Sequence, residues 1–65
     1  MSKLWDLSLK IDEVVSHRGL DRIVTRGKVG MEAGILMNIN KNTPDDDTKI
    51  LKLKLAVEKI LGVKL

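Results

Sequence analysis

The sequence predicts a small, mainly α domain with helices near residues 3–17, 20–26, 31–39 and 44–61, and three observations carry that expectation. Apolar residues recur at helical spacing near both ends, a capping sequence precedes the last of these stretches, and the apolar 43% is mostly Leu, Ile and Val with Trp5 as the one aromatic residue. Sixty-five residues make a single small domain, which buries only about 60% of the surface its unfolded chain exposes. That length excludes most enzymes. With no cysteine and one histidine, neither disulfides nor a cysteine-based zinc site can supplement so small a core, which leaves a partner chain. A homo-oligomer is therefore expected.

At the N-terminus Ser2 is a candidate N-cap, followed by Leu4, Leu7, Ile11, Val14 and Val15 on one helical arc. The same residues also have a period of two. Trp5, Leu7, Leu9 and Ile11 alternate with Asp6, Ser8, Lys10 and Asp12, which reads as a half-buried strand over 4–12. Helix is favoured by the cap and by the likeness of this segment to the C-terminal one.

In the middle, Leu20, Ile23, Val24, Gly27, Met31, Gly34 and Ile35 form a continuous helical seam. Gly27 and Gly30 each cost ~1 kcal/mol relative to Ala in a helix interior, so two short helices, 20–26 and 31–39, are expected to meet at a break between them. The rival is a β-hairpin over 22–39 that pairs Ile23, Thr25, Gly27 and Val29 with Ile35, Met37 and Ile39.

A polar connection at 38–43 leads to the C-terminal helix. Thr43 can act as N-cap, Pro44 suits the first helical position, and Asp45, Asp46 and Asp47 favour the positive end of the dipole. Ile50, Leu53, Val57, Ile60 and Leu61 then repeat at helical spacing, and Gly62 can close the helix. Laying residues 3–15 over 49–61 superposes all seven bulky apolar positions. Five of each set share one arc, while Trp5 with Leu9, and Leu51 with Leu55, form a second apolar edge. Those four residues are the expected oligomer interface.

Candidate chemistry is sparse. His17 is the one side chain with an ordinary pKa near neutrality, but its neighbour Ser16 points about 100° away on a helix and nothing orients a catalytic pair. Asn38, Asn40 and Asn42 ahead of the aspartates superficially suggest a calcium loop. With Asn38 as position 1, however, Thr43 replaces the required glycine and Lys49 the bidentate Glu. Gly27-Lys28-Val29-Gly30 lacks the spacing of a phosphate loop. No catalytic residue, metal or cofactor is expected.

The strongest functional signal is basic. All three arginines, Arg18, Arg22 and Arg26, fall within nine residues and are joined by Lys28. Arginine's planar fork binds phosphate oxygens in pairs, which marks these four as candidate nucleic-acid contacts. A helix carrying them, followed by a turn and another helix, resembles the outline of helix-turn-helix DNA-binding proteins. In the strand alternative, residues 7–13 resemble the start of a ribbon-helix-helix repressor, with Ser8 and Lys10 entering the major groove. Gly19 and a spacing about two residues too long depart from that family, which is not assigned. A small basic DNA-binding regulator acting as a dimer is the first expectation, supported by a charge of +3. The alternative is a non-enzymatic protein-interaction or self-assembly module that binds through amphipathic helices. No membrane span or secretory signal is expected, and a cysteine-free chain suits the cytoplasm.

Overall fold

A computed structural model describes residues 2–65, and its regular structure is three helices: α1 (Lys3–His17), α2 (Arg22–Ala33) and α3 (Asp47–Leu61). The described residues contain no strand. Both the N-terminal strand over 4–12 and the hairpin over 22–39 are thereby set aside.

Helix α1 follows the 3.6-residue period and not the alternation. Its fully buried positions are Leu4, Ser8, Ile11 and Val15, spaced i, i+4, i+7, i+11. Ser2 caps it as expected, accepting from Trp5 N–H at 3.2 Å. A second cap comes from far along the chain. Asp45 accepts from Lys3 N–H and Leu4 N–H, both at 3.1 Å, and from the Ser2 hydroxyl at 2.8 Å. These donors, Leu4 N–H above all, hold the Asp45 carboxyl below its ordinary range. Ser8 and Lys10 therefore belong to a helix, with Ser8 buried against α2, and the ribbon outline does not hold.

Helix α2 corrects the expected pair of helices at 20–26 and 31–39. One helix runs from Arg22 to Ala33 straight through Gly27 and Gly30, neither of which has a positive φ. Asp21 starts it by accepting from Val24 N–H at 2.9 Å. Gly34, at φ 72°, ends it in the left-handed conformation that glycine adopts without steric cost. Gly30 is required where it stands, since a Cβ there would lie 2.7 Å from the Ile35 carbonyl oxygen. Beyond Gly34 the chain is not helical. Ile35, Met37 and Ile39 alternate inward against the core while Leu36, Asn38 and Asn40 face out, so the period changes to two where a helix was expected.

Helix α3 starts at Asp47, not at Pro44. Asp46 is its N-cap, accepting from Thr48 and Lys49 N–H at 2.9 and 3.2 Å. Thr43 instead closes a turn by accepting from Asn40 N–H at 3.0 Å. Gly62 closes the helix at φ 66°, as its sequence position implies.

The core joins Leu4, Ile11 and Val15 of α1, Val29 and Ala33 of α2, and Leu53, Ala56, Val57 and Leu61 of α3. Removing each fully buried aliphatic side chain from water contributes ~1.5–3 kcal/mol. The five matched arc positions on α1 and α3 all pack inward at least partly. The shared binary pattern thus corresponds to a shared inward face.

Candidate functional site

The four predicted basic residues do not form one patch. Arg18 is the C-cap of α1, and its guanidinium donates to the Leu61 carbonyl oxygen at 2.7 Å, which ties the end of α1 to the end of α3. Arg26 faces α1, where Nε donates to Asp12 Oδ1 at 2.9 Å and one terminal nitrogen forms an ion pair with Asp12 Oδ2 and also reaches Ser8 Oγ at 3.5 Å. Both forks of that pair are engaged. Arg22, in the first turn of α2, and Lys28 are exposed. At 100° per residue, Lys28 lies about 160° around α2 from Arg26. Two of the four cations therefore hold the helices together, and two point into solvent from different faces.

The four apolar interface candidates sit as two pairs. Leu51 and Leu55 each expose 56% of their surface on the side of α3 away from the core. Leu9 is exposed on α1, and Trp5 beside it is half-buried outside the core cluster. Leu55 borders a depression between α2 and α3, floored by Ala33 and Ala56 and edged by Lys52, Lys59 and Glu32. An ion pair of 2.5 Å joins Lys59 to Glu32 across it.

A further run of exposed apolar residues lies elsewhere, on a seam the sequence displays but whose orientation it does not. Helix α2 buries Thr25, Val29, Gly30 and Ala33, so the seam of bulky residues turns outward. Ile23 is 82% exposed and Met31 84%, with Val24 at 55% and Leu20, just ahead of the helix, at 44%. Two close approaches accompany the burial of Thr25 and Ala33 in place of Ile23 and Met31. Arg26 faces Asp12 from about 140° around the helix from Met31, and Gly30 meets the backbone of residues 35–37 from about 100°. The competing stripe Thr25, Val29, Ala33 at i, i+4, i+8 is the signal that could have shown this orientation.

At the centre of the exposed seam is Gly27. A Cβ there would meet nothing within 4 Å, so no contact among the described residues requires glycine. The surface dips at this point, between Ile23 and Met31 one turn to either side.

No helix among the described residues is long and apolar enough to cross a membrane. Comparison with family models, with curated proteins and with solved structures gives no match for this chain.

Proposed function

We propose that this chain is a non-enzymatic protein-interaction module that docks through the apolar outer faces of its helices. The observation that carries this reading is the exposed seam Leu20, Ile23, Val24 and Met31 on α2. Contiguous exposed apolar surface on a small domain marks an interaction site, whereas scattered single residues do not. Leu51 with Leu55, and Leu9 with Trp5, supply secondary edges of the same kind. The absence of cysteine from the sequence supports a reducing cytoplasm as the place where it works.

The test compares the immobilised full chain with its Ile23→Ser/Val24→Ser/Met31→Ser variant in capture of species, its own chain included, from an extract of the source cells. Loss of a stoichiometric species by the variant, with unchanged far-ultraviolet circular dichroism, is the expected result. Equal capture by both overturns the reading.

A second reading, a basic DNA-binding regulator, is supported by the exposed Arg22 and Lys28 together with the net charge of +3. It has less to build on, because Arg18 and Arg26 already bind protein oxygens.

A further inference from the structure

We infer that the occupant of the α2 face is a second copy of this chain, packed antiparallel across its own α2 with Gly27 at the crossing point. The inference rests on the interaction-module reading and names its partner.

Three features of the face carry it. First, the seam is nearly self-complementary about Gly27. Ile23 lies four residues before that glycine and Met31 four after it, each about 6 Å along the axis. A two-fold axis through Gly27 therefore sets Ile23 of one copy on Met31 of the other, and Met31 on Ile23, while Leu20 reaches beyond the pair toward the Gly34 end of the opposite helix. An isologous contact demands this kind of self-matching, and a heterologous partner does not.

Second, Gly27 is a glycine the monomer has no use for. It is helical, its φ is not positive, and a side chain there would meet open space. Gly30, three residues on, is held in place by the Ile35 carbonyl. A helix-interior glycine lowers helix stability, and close approach of a second backbone is the use that offsets this loss.

Third, the area suits a dimer. At their stated exposures the four seam residues leave on the order of 500 Å² of apolar surface uncovered, near the top of the range for monomers. With the flanking helix surface this approaches the roughly 800 Å² per partner of a stable interface.

The absence of cysteine makes a clean test, since any cysteine introduced is the only one present. The full-length chain is examined by sedimentation across a concentration series, beside Met31→Asp and Ile23→Asp. Both substituted side chains are exposed in the monomer, and circular dichroism confirms that the variants stay helical. Gly27→Cys and Leu51→Cys are oxidised in parallel. The expected result is a dimer whose Kd rises about tenfold or more in either Asp variant. Gly27→Cys should also give a covalent dimer on oxidation, because the two-fold axis brings its two Cα atoms within the roughly 7 Å a disulfide needs even where the added side chain loosens the reversible contact, while Leu51→Cys should not.

A chain that stays monomeric up to about 1 mM overturns the inference. A dimer that cross-links through Leu51→Cys and not through Gly27→Cys also overturns it, moving the contact to α3 and leaving the module reading intact. A monomer whose α2 face still captures a different protein has the same effect. If the monomeric chain also captures nothing that depends on this face, both readings fall.

Discussion

Asp45 and Leu4 stand 41 residues apart and are joined by a hydrogen bond of 3.1 Å from the Leu4 backbone N–H to the carboxylate. The aspartate just ahead of the α3 cap thus serves the positive end of α1. With the bonds from Lys3 N–H and the Ser2 hydroxyl to the same carboxylate, that bond couples residues 2–4 to the connection before the last helix. Asp46, the next residue, caps α3 itself. Adjacent carboxylates therefore start two different helices, and α1 and the 35–46 connection are expected to order together.

The first prediction concerns this cap. Asp45→Ala should lower the melting temperature at neutral pH by leaving the first N–H groups of α1 without their acceptor. The folded-state pKa of Asp45 lies below its ordinary value of 3.8. A depressed carboxyl contributes stability that is present above the unfolded pKa and lost as the pH falls through the folded one. The melting temperatures of wild type and variant should therefore differ by a constant amount at neutral pH and converge below pH 3.8. Melts followed by circular dichroism down the pH scale check this. A gap that persists unchanged in acid would assign the stabilisation to packing and not to the carboxylate.

Two glycines three residues apart should respond in opposite directions. Gly30→Ala forces a methyl group to within 2.7 Å of the Ile35 carbonyl oxygen and should destabilise the fold by ~1–3 kcal/mol. Gly27→Ala meets nothing and should stabilise the monomer by ~0.5–1 kcal/mol through helix propensity. Urea titrations at low protein concentration, where any self-association is suppressed, give both values.

The Asp12 and Arg26 pair should behave as structure and not as a ligand site. Its side chains are only 16% and 31% exposed, so truncating Arg26 to Ala leaves Asp12 partly buried without its partner. Allowing for that residual solvent, a cost of ~1–2 kcal/mol is expected. Arg22→Ala, on an exposed side chain, should stay within about 0.5 kcal/mol of wild type. A double-mutant cycle with Asp12→Ala isolates the coupling. Zero coupling would return Arg26 to the pool of free cations.

What the sequence displays most clearly is local. The cap at Ser2, the stop at Gly62 and the inward arcs of α1 and α3 are written in residues close to one another, and the structure follows them. The departures involve contacts that lie outside each segment's own pattern. Pro44 and Thr43 form a sound helix start, but Asp45 is drawn to α1 and the helix begins after Asp46. Gly27 and Gly30 read as a break because each weakens a helix. Tertiary packing of Gly30 against Ile35 and Met37 outweighs that cost. The orientation of α2 was hidden for the same reason, since its bulkier seam yields the interior to Thr25, Val29 and Ala33 once Arg26 turns to Asp12. Of the arginine cluster, Arg22 and Arg26 stay one turn apart on α2 and border one depression, while Arg18 is turned to Leu61.

The last prediction separates the basic reading from the apolar one. Each phosphate contact contributes ~0.9 to the slope of log affinity against log salt. Four cations acting together would give a slope of about 3.6 and two would give about 1.8. Because Arg18 and Arg26 are held by Leu61 and Asp12, any binding to a random-sequence duplex should show the smaller slope. It should fall further in Arg22→Ala and Lys28→Ala, while Arg26→Ala alters stability and leaves the slope alone. Fluorescence anisotropy of a labelled duplex over a salt series measures this. A slope near four contacts would mean that Arg18 and Arg26 leave their protein partners on binding, and no binding at the lowest salt would remove the basic reading.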